Sequence, residues 1–359
     1  MLSPTTSSAS SCWLREGDPV VLTYLTNPPK DWFLGVTAAW HGVTLVLVGE
    51  GRRWTNGGAD KLKGAAQAIE LIRELSPSSP IIFADGLDTL VSNPLSHDVS
   101  STLKSLVQQD GVLFASECAS FPKCYSREYD KNRAHKACRS RSKTCFLNSG
   151  LYAGSSRALL RMLPLADRVV KRLHGSEQGE DQAAAHRVML GKNNSDGSLS
   201  VDDQNRVFLT LRGCRGSPDK AFYVKGRRFS TCFYEPHEPL QYVTRVGSSL
   251  RFQANHSRRA EVQTPLVVHA NGYHARLTWA VPCVADKRCP RWQPAYTSKP
   301  YAGGGVTDLL KQRPELLQYP IMLINSSAAT DVCTMVPLGK VLDRAAHPTF
   351  MKGSVRSVG

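Results

Sequence analysis

The sequence holds no apolar run of the roughly 18 residues a membrane helix needs, so no segment of it reads as membrane-spanning. Its first residues, MLSPTTSSASSCWLREGDP, lack the apolar centre of a signal peptide. The expectation is therefore either a cytosolic chain or one whose true start is missing. None of its ten cysteines form a CxxC pair, which argues against a zinc ribbon or a thioredoxin motif. No His-x-Asp/Glu triplet occurs, so the sequence signature of a two-His-one-carboxylate iron site is missing. Acidic residues are short against basic ones, 30 to 45. No internal repeat is visible.

What is present fits a globular protein. The 359 residues give room for one large domain or two ordinary ones. An apolar share of 41% and a charged share of 21% exclude whole-chain disorder, coiled coil and collagen. The net charge of +15 attracts polyanions of every kind, from nucleic acid to phosphorylated ligands, without choosing among them. Part of it is local: residues 123–143 carry eight Lys/Arg against Glu128 and Asp130. Such a run reads as a solvated basic loop or as an anion-facing lid. Cys118, Cys124, Cys138 and Cys145 cluster in that stretch, and Cys283 and Cys289 lie close together in another. Cysteines grouped in loops suit disulfides in an oxidising lumen. The N-x-S sequons at Asn193, Asn255 and Asn325 point the same way. A secretory-pathway lumen, endoplasmic reticulum or Golgi, is expected, with the cytoplasm as the alternative.

Along the chain, residues 1–18 are Ser/Thr-rich and read as disordered. Strand, helix, strand and helix then alternate. Val20–Leu25 and Val43–Val48 read as strands and Asp31–His41 as a helix. A second helix opens at Gly57-Gly58, with Leu62, Ala65, Ala66, Ile69 and Ile72 at helical spacing, and Pro77 and Pro80 end it. Ile81–Ala84 is a third strand; a helix over 97–108 and a strand over 112–115 follow. This alternation predicts an α/β fold with a mostly parallel sheet flanked by helices. Residues 117–145 read as a basic, Cys-rich insertion. Phe146–Gly154 is compact and Gly-rich, and helices follow it to Leu173 and from Glu180. Short strand-like runs at 206–211, 221–224 and 265–269 suggest a smaller antiparallel portion. Residues 286–359 are left as an extension of unknown role, with one apolar run at Tyr319–Ile324.

Open α/β sheets bind ligands off the carboxyl ends of their strands. There the third strand runs into Asp85-Gly86-Leu87-Asp88. Two carboxylates so placed can face one cation such as magnesium or manganese, shared with substrate phosphates; they can equally cap a helix or build an Asx turn. Phe146-Leu147-Asn148-Ser149-Gly150 suggests backbone held close to a ligand, or a tight strand–turn–helix link. His269, ahead of Ala270-Asn271-Gly272, is either a metal ligand or a structural histidine.

Taken in order, DxxD after a strand, FLNSG and VVHxNG resemble the glycosyltransferase domain of the multifunctional procollagen lysyl hydroxylases, a GT-A (Rossmann-like) fold. The resemblance covers roughly residues 19–280, within a domain read as 19–285, and extends to Gly57–Lys61, to Ala115-Ser116-Glu117, to an acidic pair before Gln182 and to the strand over 202–211. It implies a hexosyltransferase that uses a UDP-sugar and Mn²⁺. By position it implies Asp85, Asp88 and His269 as the metal ligands. It places Lys61, Asn271, Gly272 and Arg276 at the diphosphate, Thr23 and Leu87 at the uridine, and Asn148 and Ser149 along the sugar. Glu180 and Asp181 fall at the donor sugar or acceptor, as base or electrostatic stabiliser. Leu87 stands where the family has an aromatic, and Gly64 where it has a tryptophan. With no iron signature, lysyl hydroxylase activity is not expected.

The expected function is transfer of a hexose from a UDP-sugar to an acceptor hydroxyl. The acceptor partner is a protein or glycan, by family analogy a hydroxylysine-type or glycosylated side chain. A catalytically inactive sugar-nucleotide-binding module of the same fold is the alternative. Nucleic-acid binding, prompted by the charge, lacks any recognisable reading helix, zinc finger or aromatic platform.

Overall fold

A computed structural model describes residues 12–121 except 53, 56 and 118, then 125, 128–129 and 146–210 except 175–177, 192–193 and 195–196. It further describes 264–270, 306–326 and 331–346, and the backbone of the strands over 220–224, 227–233, 240–246, 249–254 and 293–294. The first half runs β1 (Val20–Tyr24), α1 (Phe33–His41), β2 (Thr44–Val48), α2 (Gly58–Leu75), β3 (Ile81–Ala84), β4 (Thr89–Val91) and α3 (His97–Gln108). It continues with β5 (Val112–Glu117), β6 (Ala119–Ser120), β7 (Phe146–Gly154), α4 (Ser156–Val170), α5 (Asp181–Leu190), β8 (Leu199–Asp202) and β9 (Phe208–Thr210). Strands β10 (Lys220–Val224) to β13 (Ser249–Ala254), β14 (Val267–His269) and β15 (Gln293–Pro294) follow. Last come α6 (Val306–Gln312), a 3₁₀ turn (Pro314–Gln318), β16 (Pro320–Ser326), β17 (Asp331–Pro337) and α7 (Leu338–Ala346).

Eight strands form the main sheet in the order β17-β16-β2-β1-β3-β7-β5-β8. β1 pairs in parallel with β2 and β3, as β16 does with β2 and β5 with β8; the antiparallel members are β7 and β17. Alternation along β1 sends Val20, Leu22 and Tyr24 to the face covered by α2, α4 and α5. Val21 and Leu25 go to the face covered by α1, α3, α6 and α7. With both faces covered, the inner strands read as continuous apolar runs, as parallel sheets do. Helix starts are marked chemically: Ser96 accepts from Val99 N ahead of α3, and Ser155 accepts from Ala158 N ahead of α4.

Two features depart from the expectation. Residues 12–18 are ordered, where disorder to residue 18 was expected: Cys12 is bonded to Cys333 on β17, and Glu16 accepts from Ser76 Oγ at 2.9 Å and Ser78 N at 3.0 Å. Part of the segment left without a role, 306–346, completes the main sheet, because Tyr319–Ile324 supplies β16 along the edge of β2. Most of the basic insertion lies outside the described residues. Within it, Tyr129 is fully buried, and its hydroxyl accepts from Leu147 N and meets His186 Nδ1 at 2.8 Å.

Candidate active site

A cleft of about 510 Å³ opens at the carboxyl ends of β1 and β3, lined among others by Tyr24, Trp54, Lys61, Asp85, Leu87, Asp88 and Asp181. Three local structures aim these side chains. β3 ends at Ala84, and Asp85 N donates to Gly150 O at 2.8 Å, which fixes the first carboxylate at the strand tip. The turn over 85–88 leads into β4, whose Thr89 pairs with His269 of β14, while Ala270 N donates to Asp88 O. One short β-pairing thus brings the histidine beside the aspartates across most of the sequence. The third structure is the bulge in β7, where the partner of β5 jumps from Tyr152 at Phe114 to Asn148 at Ala115.

His269 Nε2 stands 3.2 Å from Asp88 Oδ1 and 3.8 Å from Asp85 Oδ2, and ligand atoms of all three residues lie within 4.8 Å of one another. Neighbouring ligands of a six-coordinate ion lie roughly 3 Å apart, so the triangle has a size a divalent cation can fill after small movements. The donor set, two carboxylates and one imidazole, is also that of a divalent site. Gly150 is required behind it: a β-carbon there would come within 2.7 Å of both Asp85 Oδ2 and His269 Nδ1.

Lys61 is buried on the first turns of α2, and its Nζ lies 2.7 Å from Asp85 Oδ1 and 2.7 Å from Asp181 Oδ2. Burial opposes its charge, but Asp181 and Asp85 outweigh that and raise its pKa. Burial likewise opposes ionisation of Asp181, yet Lys61 and the hydroxyl of Ser149, 2.9 Å away, hold its carboxyl below the ordinary value. Asp85 is pushed the other way, by burial and by the neighbouring Asp88 and Asp181, against the pull of Lys61 and His269. The imidazole of His269 is disfavoured as a cation by burial, but Asp88 and Asp85 raise its pKa. The surplus of carboxylate at one point suits an added cation.

The structure brings Asp85, Asp88, His269, Lys61 and Asp181 together and puts Leu87 on the cleft wall. It does not bring the others to the wall. Thr23 is fully buried on the opposite face of β1 from Tyr24, its Oγ1 without a hydrogen-bond partner, so the strand alternation presents Tyr24 to the cleft instead. Asn148 and Ser149 stand one layer back, behind His269 and Asp181 respectively. Glu180 precedes α5 and is not part of the lining, which leaves Asp181 as the acid of the pair that faces the cleft. Asn271, Gly272 and Arg276 lie outside the described residues.

Sequence reasoning gave no role to Tyr24, Trp54, Gln182 or Glu117. Tyr24 packs over Gly64, where any β-carbon would strike its ring, and Trp54 tilts against Tyr24 at 5.6 Å between centroids. The available signal was an aromatic at the end of the first strand and another in the loop before α2. For Glu117 it was an acid at the end of an apolar strand.

Residues 32–239, more than half of the chain, match the family model described as the PLOD GT domain. Among solved structures, the crystal structure of a glycosyltransferase involved in the glycosylation of the major capsid of PBCV-1 is similar at 11% identity. That similarity covers 54% of this chain and 86% of that one, with a TM-score of 0.34. The search of curated proteins found no match.

Proposed function

Since the chain belongs to the PLOD GT domain family and is a glycosyltransferase by that membership, we propose that it moves a hexose from a UDP-sugar to an acceptor hydroxyl, on a GT-A-type fold and with Mn²⁺ in the site. The observation that carries the reading is the convergence of Asp85, Asp88 and His269 on one point of the cleft that also holds Lys61 and Asp181. When bound, a divalent cation supplies charge neutralisation for the leaving diphosphate.

The chain's own residues do the rest. Lys61, kept charged by two carboxylates, sits near the N-terminus of α2, where the helix dipole also favours phosphate. Tyr24 and Trp54 offer the donor base the aromatic surface that Leu87 does not. The bond between the anomeric carbon and the diphosphate oxygen breaks, its electron pair leaving with UDP, and the acceptor oxygen bonds to that carbon. Asp181, held ionised, takes the acceptor proton. A side chain of the hydroxylysine or glycosyl-hydroxylysine type is the acceptor this family membership favours. The Cys12–Cys333 bond supports an oxidising lumen as the compartment, and no helix among the described residues is long and apolar enough to cross a membrane.

UDP release from a panel of UDP-hexoses with Mn²⁺ tests the proposal. The parent protein releases UDP and Asp88→Ala does not; an inactive binding module releases none in either form. Asp181→Asn keeps donor affinity within a few-fold and lowers turnover by about 10²–10⁴. Unchanged turnover would remove Asp181 from the proton transfer.

A further inference from the structure

Behind His269 stands a row of buried polar side chains: Glu117 with no exposed surface, Asn148 at 3% and Gln182 at 8%. Gln182 Nε2 donates to Glu117 Oε1 at 2.5 Å, and Asn148 Nδ2 donates to Glu117 Oε2 at 3.3 Å and approaches Gln182 Oε1 at 3.4 Å. On its other side, Asn148 Oδ1 accepts from Gly150 N at 3.0 Å and lies 3.0 Å from His269 Nδ1.

The end members of this row leave the middle no choice. A backbone N–H only donates and a carboxylate only accepts. Gly150 therefore demands the oxygen of the Asn148 amide, and Glu117 demands its NH₂. Both demands select the same orientation, so the amide cannot flip without breaking two buried bonds. The imidazole then meets an acceptor at Nδ1 and keeps a proton there when a cation occupies the site. Its other nitrogen, Nε2, faces Asp88 and Asp85, so the proton it shares with Asp88 is the one a cation displaces.

We infer that Glu117 is a positioning residue that acts through Asn148 to fix the tautomer of His269, so that Nε2 is presented as the ligand of the divalent site. The inference rests on the metal-dependent reading above and deepens it. Histidines that bind metals commonly give their second ring N–H to a carboxylate or carbonyl, and loss of such a partner typically costs 10–100-fold in metal affinity. Here the carboxylate stands one residue further off, and a neutral amide transmits its orientation to the ring.

The test is Mn²⁺ binding to the protein without donor, by calorimetry or by the free-ion EPR signal. Glu117→Gln reverses one acceptor into a donor and should weaken Mn²⁺ binding by 10–100-fold, with little change in the melting temperature of the metal-free protein. Adding Asn148→Asp to that variant moves the charge one residue inward and keeps the net charge. The amide at 117 can then accept from Gln182 and donate to the carboxylate at 148, whose other oxygen still serves Gly150 and His269. The double variant should recover most of the lost affinity. Parent-like binding by folded Glu117→Gln, no recovery in a folded double variant, or no Mn²⁺ binding by the parent would each overturn the inference. Should the variants fail to fold, the ¹⁵N spectrum of His269 in the parent loaded with a diamagnetic divalent cation, Zn²⁺, decides it, with the ring assigned against His269→Gln. A proton on Nδ1 with Nε2 metal-bound supports the inference, and an unprotonated or metal-bound Nδ1 overturns it. Glu117-dependent Mn²⁺ binding without sugar transfer would overturn the proposed function alone.

Discussion

At His269 a proton and a divalent cation compete for one nitrogen. The imidazole pKa is raised because the carboxylates of Asp88 and Asp85 outweigh burial. In the metal-free protein the charged ring therefore contributes stability that is fully present below its unfolded value of about 6.5 and is lost as pH rises through the higher folded value. Metal binding must displace the proton and strengthens over that same rise. Melting temperature measured against pH should fall through this window without Mn²⁺ and fall less, or rise, with it. His269→Gln should abolish the difference between the two curves; a difference that survives the substitution would place the metal elsewhere. A second residue-scale expectation concerns Trp54, half exposed on the cleft and tilted against Tyr24. If these rings carry the donor base, Trp54→Ala should cost about 1–3 kcal/mol of UDP affinity, roughly 5- to 150-fold in Kd. Mn²⁺ affinity without donor should not move, since Trp54 is not among the three ligands; an equal loss in both titrations would count against the stacking role.

At the scale of elements, β7 sets the site. All nine of its residues are buried, because it lies between β3 and β5 with helices on both faces. Its bulge frees Gly150 O for Asp85 N while Asn148 and Ser149 turn toward His269 and Asp181. Gly150→Ala puts a methyl group against the ring of His269 and the carboxylate of Asp85. Overpacking of this kind costs typically 1–3 kcal/mol, and the ring must move to relieve it. The expected result is a lower melting temperature together with loss of Mn²⁺ binding; a folded Gly150→Ala protein with parent affinity would show that the ligand triangle does not depend on this contact. The same strand marks the limit of what could be read in advance. Apart from β4, the units from Val20 to Gln108 were legible because their apolar spacing has one period at a time. β7 was not, since two glycines beside Asn and Ser read equally as a turn, and only its neighbours make it a strand. For the site, position along the chain suggested the aspartates and His269. It could not say that Asn148 and Ser149 stand behind the wall, because that depends on which side of a bulge they fall.

The whole molecule is closed by its two ends. Among the described residues β17 is an edge strand of the main sheet, hydrogen-bonded to β16, which in turn lies along β2. An edge strand has a neighbour on one side alone, so fewer hydrogen bonds hold it in the sheet. Cys12 reaches it through the bond to Cys333, with a sequence separation of 321 residues, and packs with Leu14, Cys333 and Met335 against the core on the α2 side. A link that closes so long a loop restricts the unfolded chain more than the folded one, by about 2–4 kcal/mol in typical cases. Cys12→Ser should therefore lower the melting temperature without changing Mn²⁺ affinity, because none of the ligands or their supports lie on β16 or β17. Reducing agent should lower the melting temperature of the parent toward that of Cys12→Ser and leave the variant where it is. If reduction moves both proteins equally, the stabilising bond lies among the other cysteines; if it moves neither, the closure of the sheet rests on the packing of β16 and α7 alone.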